Sequence, residues 1–379
     1  MGSQTMLAAS EDCGIYLFRR PTPTVHANWS RLLLPNALSG KKCESSSGRP
    51  LAASSDRVIV GTPCSRFPTL CKTSLPLLQF KGPSWNAPPT KIAPPQGASR
   101  DFAVALAISD GHLAVGDPSA NNKAGTIFIY TLTNNKWTYS YAIPAPKEAK
   151  NKGFGYRFSF SFPTLAVVTD RAFIYTLPSP SAKTATLQSV ILSGKNETTN
   201  SIAVYKNASL AIGLIREVPG KLLGEIIAQT IVKSYVFVPN KKDWIQDDEF
   251  LVPSKTKGPD YTGNGGILGL AMPKESSLLV TRVEFPRESV SGFAAVYQRT
   301  KTGKSWSKWS KEVDLSPTEQ YTYDLYGRPV AAVGDTYAIA APGSSGEVRR
   351  RRRNLLDEKT LITFSVSPGA VFVTDVSVK

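Results

Sequence analysis

The sequence predicts an all-β protein, a seven-bladed β-propeller of four-stranded antiparallel blades. Three observations carry that expectation. Runs of strand length rich in Val, Ile, Phe, Tyr and Thr recur along the whole chain. The gaps between them are filled from 28 Gly, 28 Pro and many Asn, Asp and Ser residues, which suit tight turns. The strand-and-turn pattern repeats at roughly fifty residues, the signature of a propeller or solenoid array. No window keeps the apolar spacing of a helix.

The clearest repeat runs from Asp101 to Pro146. Its runs FAVALAIS, HLAVGDP, GTIFIYTL and WTYSYAI are separated by SDG, SANNKAG and TNNK, giving a four-stranded meander. Laid on this reference, the chain of 379 residues reads as one domain of seven units, at 1–40, 48–96, 97–146, 152–194, 198–254, 264–316 and 326–379. Trp29, Trp85, Trp137, Trp244 and Trp306 each fall near the start of a fourth strand, and the fourth unit has lost its Trp. Their fixed place points to packing between blades rather than to base stacking or a ligand cage. Trp309 falls off that spacing and is expected to be exposed. The first unit, TMLAAS, GIYLFRR and WSRLLLP, lacks an opening strand. The C-terminal run AVFVTDVSV is expected to complete it, or to lie beside it, and so to close the ring by pairing the two terminal segments.

Several units share a further pattern. Phe154-Gly155 opens the fourth unit. Gly61-Thr62-Pro63, Gly116-Asp117-Pro118 and Ala341-Pro342-Gly343 end second strands. The third strands read GIYLF from Gly14, GTIFIY from Gly125 and GFAAVY from Gly292. In these positions the chain resembles the FG-GAP repeats of the integrin α-chain propeller over nearly its whole length, in degenerate form. The resemblance implies a propeller and an adhesion or surface module. Many FG-GAP blades carry a D-x-D-x-D-G calcium loop. Here the turns at Asp110-Gly111 and Asp324 to Gly327 offer one carboxylate each, whereas calcium takes six to eight oxygen ligands. No structural metal and no cofactor are expected.

Motifs for catalysis are missing from the sequence: there is no G-x-S-x-G elbow, HExxH, P-loop or dinucleotide fingerprint. His26 and His112, the two histidines, both read as solvated turn residues. No catalytic residue is assigned, and a propeller enzyme acting on glycans is the least favoured reading. The charge is lopsided, with 45 Lys and Arg against 29 Asp and Glu for a net charge of +16, which favours anionic partners. The sharpest local feature is Arg349, Arg350, Arg351, Arg352 and Arg353, inserted in the last unit. Five adjacent guanidiniums suit contact with phosphate or an acidic partner, a nuclear-localisation signal, a processing site, or simply a solvated loop. Lys41-Lys42, Lys147 to Lys152, Lys233, Lys241-Lys242 and Lys301 to Lys311 are spread over many units, each readable as a solvated turn.

Cys13, Cys43, Cys64 and Cys71 fit no zinc spacing and leave room for one disulfide, while the absence of Cys over roughly the last 300 residues argues against a disulfide-built secreted domain. The sequons at Asn28, Asn196 and Asn207 matter only in a secreted chain. The N-terminal stretch MGSQTMLAASEDCG has neither a basic nor a long apolar segment, so it is not read as a signal peptide, and no run is long enough to span a membrane. The expectation is a non-catalytic scaffold, a basic subunit docking among other protein subunits of a large complex, with RNA or an acidic protein surface as partner. The compartment is read as intracellular, organellar such as mitochondrial, with an extracellular adhesion module as the alternative.

Overall fold

The computed structural model describes residues 5–11, 14–20, 30–33, 50–54, 56–64, 77–82, 88–178, 184–220, 226–253, 267–284, 291–303, 305–315, 330–341, 361–365 and 370–375. The protein is all-β and is built from antiparallel meanders, most of them four-stranded. It divides into two compact parts, Met1–Thr169 with Ile174–Leu187 and Asp170–Phe173 with Gln188–Lys379.

In the first part, β1 (Thr5–Glu11), β2 (Gly14–Arg20) and β3 (Ser30–Leu33) form a three-stranded sheet. The second sheet holds β4 (Leu51–Ala53), β5 (Arg57–Gly61), β6 (Leu77–Lys81) and β7 (Thr90–Lys91). The third holds β8 (Ala105–Ser109), β9 (His112–Asp117), β10 (Thr126–Thr133) and β11 (Lys136–Pro144). The turn chemistry of this reference unit does what its sequence implies. Asp110 and Gly111 (φ 43° and 73°) join β8 to β9, and Asn134 and Asn135 (φ 49° and 63°) join β10 to β11. Two successive positive φ values are what a two-residue I′ hairpin needs, and Asn, Asp and Gly tolerate them best. The fourth sheet, β12 (Phe158–Ser161), β13 (Thr164–Val168), β14 (Ala172–Thr176) and β15 (Thr186–Ile191), straddles the division between the parts.

The second part continues with β16 (Glu197–Tyr205), β17 (Ser209–Pro219), β18 (Ile226–Val238) and β19 (Asp243–Leu251). The next sheet has β20 (Ile267–Lys274), β21 (Ser277–Glu284) and β22 (Ser291–Gln298). A small ribbon of β23 (Lys301–Thr302) and β24 (Ser305–Trp306) precedes its fourth strand, β25 (Ser310–Asp314). The last sheet has β26 (Val330–Val333), β27 (Thr336–Ala341), β28 (Leu361–Ser365) and β29 (Ala370–Asp375), in the order β26-β27-β29-β28.

That order corrects one expectation. The described part of AVFVTDVSV, β29, is a strand of the last sheet and does not complete the first, which is β1-β2-β3. β29 pairs with β27 from Thr336↔Asp375 to Ala341↔Ala370, and with β28 on its other side from Leu361↔Thr374 to Ser365↔Ala370. A strand bonded along both edges has no ladder left to offer another sheet. The run LITFS forms the edge strand of this sheet, outside β29.

Opening strands of neighbouring sheets lie side by side: β8 lies beside β4 and β12, and β1 beside β4, so TMLAAS takes the place of an opening strand and the first unit, expected to lack one, does not. In the second part β20 lies beside β16 and β26. The cores form between sheet faces. Ile59 and Leu77 of the second sheet pack with Val115, Phe128 and Tyr130 of the third. Val232 and Ala211 pack with Leu278, Val280 and Phe293, and Val296 packs with Tyr337 and Ile339. Each such aliphatic or aromatic side chain contributes about 1.5–3 kcal/mol on burial.

The Phe154-Gly155 dipeptide has a physical role. Both residues are buried, and Gly155 (φ 89°) lies over β9 and β10 of the preceding sheet. A Cβ on Gly116 would come within 1.9 Å of the Gly155 carbonyl oxygen. One sheet earlier, Phe102-Ala103 does the same. Ala103 has φ 71°, and its carbonyl oxygen would be 2.4 Å from a Cβ on Gly61. The sequence shows an FG only at the fourth unit because alanine takes the glycine's place at the third.

Candidate functional site

The same close approach gathers three loops at one end of the third and fourth sheets. In an antiparallel meander the connection from second to third strand and the one leading to the next sheet emerge at the same end. Here these are the segments around residues 95–104, 118–125 and 145–157. Buried Asp117 ties the first two together by accepting from the Ser99 amide (2.6 Å), the Ser99 hydroxyl and the Ala120 amide (3.1 Å). The Ser119 hydroxyl donates to the Asp101 carboxylate, and the Asp101 amide to the Ser99 hydroxyl at 3.0 Å. Left-handed Asn121 and Asn122 turn the middle loop so that the Gly125 amide reaches the Ala120 carbonyl at 3.0 Å. Ala145 donates to the Gly125 carbonyl at 3.0 Å and starts the third loop, which runs through a 3₁₀ turn at Lys147–Ala149 to the buried Phe154.

These tied loops carry Arg100, Lys123, Lys147, Lys150, Lys152 and Arg157, all exposed. Tyr156 stands among them, 43% exposed, with the Arg157 guanidinium 6.0 Å from its ring centre. Of the carboxylates on the same loops, Asp117 is fully buried and Asp101 half-buried under Ser119, which leaves Glu148 exposed. The result is a loop end that carries six exposed cations and an exposed aromatic on a hydrogen-bonded frame. Lys147 to Lys152 read singly as a solvated turn. What unites them with Lys123 and Arg100 is the meander rule for which loops share an end.

The other basic residues singled out in the sequence behave differently. Arg349, Arg350, Arg351, Arg352 and Arg353, with Lys41, Lys42 and His26, lie outside the described residues. Lys233 is not a turn residue: it sits within β18 and is bound into a charged network on the fifth sheet. There the Glu197 carboxylate, 3% exposed, accepts from Lys233 Nζ (2.8 Å), Arg216 (2.7 Å) and the Gly194 amide (2.7 Å), while Arg216 also meets Glu249 at 2.7 Å. Burial alone would raise the Glu197 pKa, but the hydrogen bonds from Lys233 and Arg216 outweigh it and hold the carboxyl below its ordinary value. A carboxyl depressed in the folded state contributes stability that is complete above its unfolded pKa and is lost as pH falls through the folded one. Glu197→Gln is therefore expected to flatten the loss of thermal stability between neutral and acid pH relative to wild type. Parallel melting curves across that range would refute this account.

Three more sequence expectations change. Trp309, expected to be exposed, is buried, and Trp306 is only half-buried. The β23–β24 ribbon draws Trp306 out of the sheet, so Trp309, directly before β25, takes the place held by Trp137 and Trp244. Those two each donate an indole N–H to a glutamine side chain, Trp137 to Gln79 (2.7 Å) and Trp244 to Gln188 (3.1 Å), which fits their packing role. Trp85 and Trp29 lie outside the described residues. His112, expected to be solvated, is buried: its Nδ1 is 2.9 Å from the Asp110 carbonyl oxygen and its ring stacks on Phe162 at 4.2 Å. Cys64 is disulfide-bonded. Among the described residues no group of three or more His, Cys, Asp or Glu is placed to hold a metal ion, and no helix is long and apolar enough to cross a membrane.

No protein-family model matches the sequence, and no curated protein matches it either. Solved structures are similar to it only loosely. A protein from Lactobacillus plantarum is 15% identical with a TM-score of 0.45, covering 90% of this chain and 92% of that one. A functionally unknown protein from Desulfotomaculum acetoxidans is 13% identical with a TM-score of 0.42, covering 77% and 78%. A fungal lectin from Aleuria aurantia, a six-bladed β-propeller that recognises fucose, is 11% identical with a TM-score of 0.36, covering 83% and 95%. Likenesses this loose bring no function to the chain.

Proposed function

We propose that the chain is a non-catalytic β-propeller module, its seven meanders being the blades, that docks onto an anionic partner within a larger assembly through its basic loop end. The observation that carries this reading is that Arg100, Lys123, Lys147, Lys150, Lys152 and Arg157, with Tyr156, are exposed on hydrogen-bonded loops at one end of the third sheet. The hydrogen bonds of Asp117, Gly125 and Ala145 pre-order these loops, which lowers the entropy cost of binding. Lysines supply point charges, arginines paired donors to phosphate, sulfate or carboxylate, and Tyr156 a flat face for stacking. The excess of 45 basic over 29 acidic residues supports the same partner class. The Cys64 disulfide favours an oxidising compartment, and with it the extracellular module over the mitochondrial or other intracellular subunit.

The test is binding of single-stranded RNA and of a sulfated polysaccharide at low salt. Wild-type protein is expected to bind at least one of them, with affinity falling steeply between about 50 and 200 mM salt. The triple variant Lys147→Glu/Lys150→Glu/Lys152→Glu is expected to lose about tenfold or more and to show a shallower salt slope, roughly one unit per lost contact. Lys241→Glu/Lys242→Glu, which changes exposed lysines in the β18–β19 turn, is expected to bind like wild type. If neither polyanion binds at low salt, or if the two variants behave alike, the reading fails.

A further inference from the structure

The two described sequons differ in a way their sequences do not reveal. Asn196-Glu197-Thr198 begins in the exposed turn before β16. Asn196 is exposed with φ 62°, and Thr198 is exposed. Between them, Glu197 points inward to its charged network and holds the turn by accepting from the Gly194 amide at 2.7 Å. Asn207-Ala208-Ser209 is more enclosed, with Asn207 and Ala208 half-buried. Its Asn207 Oδ1 is buried without a hydrogen-bond partner, and Ser209 is 1% exposed with its hydroxyl accepting from Arg299 Nη2 at 2.5 Å. A bulky, hydrated glycan fits the first site and would have to displace packed groups at the second.

We infer that Asn196 is an N-glycan attachment site of this protein and that Asn207 is not. The step joins the Asn196 side-chain nitrogen to the anomeric carbon of an oligosaccharide carried on a lipid diphosphate. The lipid diphosphate leaves, and the amide gives up one proton. The threonine two residues on, Thr198, completes the acceptor triplet. This inference rests on the oxidising-compartment part of the reading above, which the Cys64 disulfide supports, and it does not depend on the basic loop end.

The experiment uses the native full-length protein from its own cells, treated with an amidase that releases N-glycans and converts the linked Asn to Asp in heavy-oxygen water. The expected result is the mass tag at Asn196 and none at Asn207. In the same cells Thr198→Ala is expected to lose the glycan and Thr198→Ser to keep it, while Asn207→Gln leaves the glycan mass unchanged. An untagged Asn196 in the native protein overturns the inference, and so does a tag at Asn207. A tagged Asn196 with no polyanion binding would overturn the anionic-partner reading and leave the glycan site standing. Polyanion binding with Asn196 untagged would do the reverse.

Discussion

Replacing Gly116 with alanine is expected to destabilise the protein by about 3 kcal/mol, enough to abolish a marginal fold. The new Cβ would lie 1.9 Å from the Gly155 carbonyl oxygen and 2.9 Å from Phe158 Cε1. Neither contact is with the loose end of a flexible side chain. The Gly155 backbone is itself wedged against Thr126 and Asp117, and Phe154 before it is fully buried. Relief would require lifting the whole 145–157 loop off the third sheet, together with Lys147, Lys150 and Lys152. Gly97→Ala is the control. Its φ of 85° makes a side chain strained, at about 1–2 kcal/mol, but nothing lies within 4 Å of the new Cβ. Urea unfolding of the two variants separates a collision from backbone strain. Similar midpoints would show that the close approach of the sheets does not constrain this position.

This contact also marks how far the sequence could be read. Strand positions and turn types were legible because period-two runs and Asn-Asn or Asp-Gly pairs act locally: three strands of the third sheet match their runs to within about a residue at each end, whereas FAVALAIS becomes a strand only from Ala105. The strand order of the last sheet was not legible, because β27 accepts β29 or β28 equally well by pattern and the choice is made by pairing across a long connection. Ala103 hides a second opening dipeptide, since alanine at φ 71° gives no signal in a string of letters. The basic loop end was invisible for a different reason. Its cations come from three segments that are separate in sequence, and only the alternation of loops between the two ends of a meander brings them together. Lys233 was misread for the converse reason: a lysine in a strand looks like a solvated residue until its carboxylate partners are seen, Glu249 on the neighbouring β19 and Glu197 on β16, two strands away.

Arg299 is expected to be the most sensitive single charge in the second part of the chain. It is 3% exposed and lies between the rings of Trp306 and Trp309, 4.4 and 4.5 Å from their centres. Its guanidinium donates to the Asp247 carboxylate, to the Ser209 hydroxyl at 2.5 Å and to the Glu275 carbonyl at 3.1 Å. Burial pushes its pKa down while Asp247 pulls it back up, and an arginine remains a cation at neutral pH under that balance. Removing one partner of such a pair leaves the other charge without its counterion, so Arg299→Ala is expected to cost about 3–5 kcal/mol. Lys308→Ala removes a cation that also meets a carboxylate, Asp248 at 2.8 Å, but from a side chain 76% exposed to water, where solvent screens the pair, and is expected to destabilise far less than Arg299→Ala. Arg299→Lys keeps the charge and loses the flat stacking face and the fork of donors, so it should fall nearer to alanine than to wild type. Because Asp247 keeps the Ser234 hydroxyl at 2.6 Å, Asp247→Asn in the Arg299→Ala background should recover part of the loss, a coupling of about 1 kcal/mol or more in a double-mutant cycle. Tryptophan emission gives an independent reading, since opening the stack should shift the emission of Trp306 and Trp309 to the red. Equal destabilisation by Arg299→Ala and Lys308→Ala, with no change in emission, would mean that the stack fills space without holding the fourth strands of the fifth and sixth sheets together.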